Sequence, residues 1–258
     1  MIILFIVPFI FSTQNSFNSS FKEIYLEIDD MECTYNEEII ENINSFTPLC
    51  FINCTFESIK TEYDGGAISV QSKYEYQEKF FFDSCIFNNC QSQRGGAIYL
   101  DLEEKNIAEF NNCNFNNCQS SNGGAIYFLL GKNSSIEIII SQFTNCRATG
   151  SQGGSIYATS IGKGKFDLRN CTIKSNSISS AIFIEKINFT IQDCNFSDNN
   201  CNNDALPSVI NSRNSDGSIE NSTIFKNINR KDDFTVWRGT VVYGAIGLSD
   251  TNCIFKEC

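Results

Sequence analysis

Short runs in which apolar and polar residues alternate, such as Ser135-Ile-Glu-Ile-Ile-Ile140 and Ala97-Ile-Tyr-Leu100, recur along the chain between Gly, Asn and Ser. A period of two marks a strand with one buried face, and the Ile, Phe and Tyr in these runs suit strands. No stretch of ten or more residues keeps the 3.6-residue apolar spacing of a helix. Helical repeats are therefore disfavoured, as are leucine-rich repeats, whose Leu-x-x-Leu-x-Leu signature is missing. Glu37 to Ile43 is the one segment that could form a short helix.

The strand pattern is itself repeated. One element reads Cys54-Thr-Phe56, Cys85-Ile-Phe87, Cys113-Asn-Phe115, Ser141-Gln-Phe143, Cys171-Thr-Ile173, Cys194-Asn-Phe196, Thr223-Ile-Phe225 and Cys253-Ile-Phe255, with steps of 31, 28, 28, 30, 23, 29 and 30 residues. A second follows in phase: Gly65-Gly-Ala-Ile68, Gly95-Gly-Ala-Ile98, Gly123-Gly-Ala-Ile126 and Gly153-Gly-Ser-Ile156. It decays through Ser180-Ala-Ile182 and Val209-Ile210 to Gly244-Ala-Ile246. Units of this length with two or three short strands predict one coil each of an all-β, right-handed parallel β-helix, with about seven to eight coils stacked at the strand spacing.

That geometry assigns roles. In Cys-x-Phe the two named side chains share one strand face, so Phe56, Phe87, Phe115, Phe143, Phe196, Phe225 and Phe255, with Cys54, Cys85, Cys113, Cys171, Cys194 and Cys253, are expected to climb the interior as ladders. Gly-Gly supplies a corner where φ is positive and no side chain crowds the next coil. Asn-rich turns such as Asn116-Asn117 tolerate the left-handed conformation and stack their amides from coil to coil.

Gly-Gly-Ala-Ile paired with Phe-x-x-Asn resembles the repeat of the polymorphic outer-membrane proteins, and the match covers Cys50 to Cys258. Phe196-Ser-Asp-Asn199 and Ile173-Lys-Ser-Asn176 keep the Asn, while Cys90, Cys118, Cys146 and Cys258 replace it. The resemblance implies a pectin-lyase-like β-helix displayed at a cell surface for adhesion or host contact, with no catalytic residues. The bacterial members end in an outer-membrane barrel that has no counterpart here. With the Asn, Ile and Lys content, that points to a protist member.

Composition refines this reading. Residues 1–13 read as a signal peptide built on MIILFIVPFIF, too short an apolar run to span a bilayer. Residues 14–49 read as an acidic N-terminal cap and residues 50–258 as the repeats. The net charge of −11 is concentrated between Lys22 and Asp64, with 11 acidic and 2 basic residues, against 19 acidic and 17 basic elsewhere. No basic footprint for nucleic acid or anionic lipid follows from that distribution. The sequons at Asn53, Asn133, Asn170, Asn188, Asn195 and Asn221 and the 13 cysteines agree with a secreted or surface glycoprotein. Cys33 and Cys50 are the best local bridge.

The chain holds no His, which removes the usual general base and the Ser/Cys-His nucleophile systems. Cysteines spaced C-x4-C without His do not read as a zinc site, and no cofactor or metal is expected. The one candidate cluster is Asp232 and Asp233 with Trp237 and Arg238 in the enlarged last unit, where a Trp beside charges suits a sugar ring. No carboxylate cluster repeated on adjacent coils is apparent. The expected function is a non-enzymatic secreted or surface protein contacting host-cell, matrix or glycan ligands. A carbohydrate-active enzyme of the same fold, a lyase or hydrolase, is the alternative.

Overall fold

The computed structural model describes residues 33–35, 39–41, 49–72, 79–177, 180–201, 209–229 and 242–256. Every strand pair among them is parallel, with the register kept along most pairs and shifted at Ser120/Asn122, Thr159/Gly164 and Asn211 to Gly217, and none of these residues is helical. The stack is a parallel β-solenoid of about six turns, consistent with the expected right-handed β-helix. That is shorter than the seven to eight coils obtained by counting repeats, although the end strands carry the columns further, so that one sheet holds nine strands. Among the described residues no helix is long and apolar enough to cross a membrane.

The coil formed by 112–139 shows the plan. A three-residue strand Asn114–Asn116 lies between Asn112 and Asn117, whose φ angles are 51° and 53°. Two such left-handed residues bend the chain on either side of the short strand, and Asn tolerates that conformation better than other side chains. The chain continues through Gln119–Asn122, the Gly123-Gly124 corner, a first long strand Ile126–Leu130, a tight turn, and a second long strand Ser135–Ile139. Each coil thus presents a short-strand face and two long-strand faces.

The Gly-Gly corner is required twice over. Gly95 has φ +62°, while a Cβ on Gly96 would lie 2.1 Å from the carbonyl oxygen of Gly124 in the next coil. The first position needs the conformation and the second needs the space.

Stacking places like on like inside. Phe56, Phe87, Phe115 and Phe143 form one buried column with ring centroids 4.7, 4.7 and 4.8 Å apart and planes within 3° of parallel. Ile173, Phe196 and Ile224 extend it. Phe225 does not belong to this ladder. The pairing is Phe196 with Ile224 and Ser197 with Phe225, so Phe225 faces outward and is half-buried. The Cys-x-Phe position in that coil is Ser222-Thr-Ile224, and a one-residue slip in alignment exchanges the two faces of a strand. A second aromatic column on the other side of the core, Phe51, Phe82 and Phe110, was not anticipated; its ring spacings are 5.3 and 4.5 Å.

The cysteine ladders are internal as expected. Cys85, Cys113, Cys171 and Cys194 are buried and reduced, and Cys253, whose position continues the column, is half-buried. Ser141 and Ser222 stand in for Cys in the same column, accepting from the backbone N–H of Cys113 and Cys194. In the second ladder the Cys90, Cys118 and Cys146 thiols donate to the carbonyls of Phe56, Phe87 and Phe115. Higher up, Asn176, Asn199 and Asn227 make the same donation to Phe143, Ile173 and Phe196 through Nδ2, and their Oδ1 atoms accept the N–H of the coil below. The bond to Cys118, and then burial, holds the Cys90 thiol far above its ordinary pKa; burial does the same for Cys118.

Cys54 is disulfide-bonded and Cys50 is free, so the Cys33–Cys50 bridge does not form. In the backbone register Cys54 lies opposite Cys33, whereas Cys50 lies opposite Phe81. Within the segment read as a cap, Ile39–Glu41 is a strand in backbone register with Ile68–Val70 rather than part of a helix, as its two β-branched residues favour.

Two stability changes follow. Phe115→Ala, at the centre of its column, should cost about 3 to 5 kcal/mol in chemical unfolding, with less than about 1 kcal/mol ruling out the stack. Ile140 occupies the left-handed corner filled elsewhere by Asn53, Ser84, Asn112, Asn170, Asp193, Asn221 and Asn252, with φ 54° and 58% exposure. A β-branched residue is strained there, so Ile140→Asn should raise stability by about 1 kcal/mol.

Candidate functional site

The outward columns of the long-strand faces carry the chemistry. On the first long face, Tyr99, Tyr127, Tyr157 and Phe183 are in register on consecutive coils. Their rings stack at 5.4, 4.6 and 4.7 Å. An arginine closes each end. The Arg94 guanidinium lies 4.8 Å from the Tyr99 ring centroid and 5.2 Å from that of Tyr127, and Arg213 lies 5.3 Å from that of Phe183. Arg94 is also fixed by a two-bond pair with Asp64, Nε to Oδ1 at 2.9 Å and Nη2 to Oδ2 at 2.5 Å. That fork geometry adds orientation as well as attraction. Although outward, Tyr99 and Phe183 are 2% and 1% exposed, so most of this column is packed and Tyr157 presents its open edge.

On the second long face Glu109, Glu137 and Asp167 stand in register on three consecutive coils. This is a carboxylate ladder on adjacent coils, contrary to the expectation from sequence that none is present. Like charges directly opposite one another are destabilising, and here each is countered from a neighbouring column. Lys79 pairs with Glu109 at 2.9 Å and Lys165 with Asp167 at 2.6 Å, while Arg169 reaches Glu137 at 3.2 Å and Asp167 at 3.4 Å. Asp167 is almost enclosed, with its side chain 7% exposed. Its Oδ1 and the Arg169 Nε are buried with no hydrogen-bond partner.

Asp232, Asp233, Trp237 and Arg238, the cluster singled out from sequence, lie outside the described residues. Five of the six sequon asparagines, Asn133, Asn170, Asn188, Asn195 and Asn221, are exposed, and Asn53 is half-exposed. Asn53, Asn170 and Asn221 share one left-handed corner and Asn195 points out from the short-strand face. No family model matches the chain, and no curated protein matches it.

Burial pushes the Tyr99 and Tyr157 phenols up to about 12, with Arg94 partly opposing the shift at Tyr99. The folded state therefore holds phenol protons that the unfolded chain releases near its ordinary value of 10.0. Their contribution to stability is complete below pH 10 and is lost as pH rises from 10 towards 12. Absorbance titration of the native protein should show two tyrosines ionising near pH 12 together with a falling unfolding free energy. Ionisation of every tyrosine near pH 10 with unchanged stability would refute the packed column.

Proposed function

We propose that this protein is a non-enzymatic secreted or cell-surface β-helix that contacts host-cell, matrix or glycan ligands through its outward columns. The observation that carries this reading is the state of the carboxylate ladder. Glu109, Glu137 and Asp167 are each engaged by a cation, and the remaining oxygen of Asp167 is sealed from solvent. A general acid or base has to reach the proton it transfers, and these groups are committed to holding the sheet face together. The outward sequons, the disulfide at Cys54 and the resemblance of the repeat to the polymorphic outer-membrane proteins support export and display.

The ladder also gives the carbohydrate-active alternative a definite address, since acidic groups on adjacent coils are what such a site needs. The two readings separate in one set of assays. The purified full chain should bind a cell surface or an arrayed glycan and should release no reducing sugar or unsaturated product from pectin, polygalacturonate or related glycans between pH 4 and pH 9. Cleavage abolished by Asp167→Asn or Glu137→Gln in a folded variant would replace the binding reading with the enzymatic one.

A further inference from the structure

The chain passes from the first long face to the second through 103–106 and 131–134, which are turns, and through 161–164, 185–187 and 213–216, where it bends within the continuous strands Ile156–Arg169, Ile182–Gln192 and Ile210–Glu220. Each of these five segments on consecutive coils carries one basic residue: Lys105, Lys132, Lys163, Lys186 and Arg213. The backbone sets these segments one over another. Lys105 N–H donates to the Lys132 carbonyl at 3.1 Å, and a Cβ on Gly162 would lie 3.1 Å from the Cβ of Lys132. Lys105, Lys163 and Lys186 share positive φ angles of 66°, 53° and 57° at the apex. The four lysines are exposed, and none forms an ion pair with a described residue.

Acidic groups qualify the ends of this ridge rather than its middle. Glu103 and Glu104 flank Lys105, and Asp216 follows Arg213, whose guanidinium is folded onto Phe183. Glu185 adjoins Lys186 but is half-buried and accepts a hydrogen bond from Thr159 Oγ1 on the strand below. Lys163 and Lys186 stand at the left-handed apex of adjacent coils, while Lys132 precedes the apex residue Asn133 and stacks over Gly162. The three ammonium groups thus lie on successive coils about 4.8 Å apart along the axis, with Lys132 displaced by one residue along the chain.

We propose that this ridge binds an extended anionic polysaccharide, bearing uronate or sulfate groups, laid parallel to the solenoid axis. The inference rests on the binding reading above and names its ligand class. Three observations lead to it: one basic residue per coil along this edge, a coil spacing close to the advance per sugar in an extended glycan, and a location on a protein whose net charge is −11. A ligand attracted by bulk charge would avoid such a protein, so recognition has to come from the local row. Stacked nucleic acid sets its charges about 3.4 Å apart along each strand, out of step with the ridge. Neutral glycans gain nothing from it.

The test uses the full chain and four labelled probes: a sulfated heparin oligosaccharide, an oligogalacturonate, a neutral cello-oligosaccharide and a single-stranded DNA oligonucleotide, read by fluorescence anisotropy over a salt series. The variant combines Lys132→Glu, Lys163→Glu and Lys186→Glu. A control combines Lys60→Glu, Lys174→Glu and Lys226→Glu, with the same change of net charge on exposed sites away from the ridge. The expected result is a preference for an anionic glycan, weakened about tenfold or more and made less salt-sensitive by the ridge variant but not by the control. Equal losses in variant and control, or DNA bound as tightly as the glycans, overturn the proposal. Cell or neutral-glycan binding that persists unchanged in the ridge variant, with no anionic preference, overturns the ridge while leaving the binding reading intact. Absence of binding to any probe or cell surface overturns both.

Discussion

Where parallel strands stack in register, as they do along most of each face here, each side chain lies directly above its counterpart one coil below, at about the strand spacing of 4.8 Å. Nearly everything else in this protein answers that constraint. A residue is selected here for its compatibility with a copy or near copy of itself on either side. Phe satisfies this well, because flat rings stack at that distance and offset aromatic pairs contribute about 0.5 to 1.5 kcal/mol beyond their burial. Columns with no room for rings are filled by Ala97 and Ala125, or by Ile98, Ile126, Ile156 and Ile182, so the core keeps nearly constant volume from coil to coil.

The same rule decides what polar group tolerates burial. An inward polar residue has to satisfy the coil above and the coil below together. Asn176, Asn199 and Asn227 do so with one donor and one acceptor each, which closes a continuous amide ladder. A thiol meets the donor half of that requirement, giving a weak bond to the same carbonyl, and is apolar enough to be buried at little cost. The switch from Cys146 to Asn176 within one column is therefore a change of chemistry at constant geometry, and Cys146 N–H donating to Asn176 Oδ1 joins the two halves.

How much of this could be read in advance depends on how tightly a position repeats. The Cys-x-Phe and Gly-Gly-Ala-Ile elements recur as letters, so the solenoid, the Phe56 to Phe143 column and the glycine corners were legible. The error at Phe225 arose where the letters survived but the parity moved, since Thr223-Ile-Phe225 looks like the motif while Ser222-Thr-Ile224 occupies its place. The Phe51, Phe82 and Phe110 column was hidden because Ile138, Leu168 and Ile191 replace it further along the stack. The carboxylate ladder and the lysine ridge were invisible for a different reason. Their members lie beside turns of changing length, and a charge balance taken along the chain averages across the direction in which a solenoid assembles its surface.

That direction is what separates the inside from the outside. Inside, like on like is stabilising; outside, like charge on like charge is not, so an outward column of one sign persists only with counter-charges or with a ligand. Glu109, Glu137 and Asp167 follow the first course, drawing Lys79, Lys165 and Arg169 from adjacent columns. The apex lysines lack such partners among the described residues, and their neighbour Glu185 is turned down onto Thr159. Their repulsion is moderated by exposure to water and salt rather than by the protein. A surface that leaves one row uncompensated while pairing the next has its remaining charge available to something outside the chain, and the solenoid holds that charge at a spacing set by its own backbone.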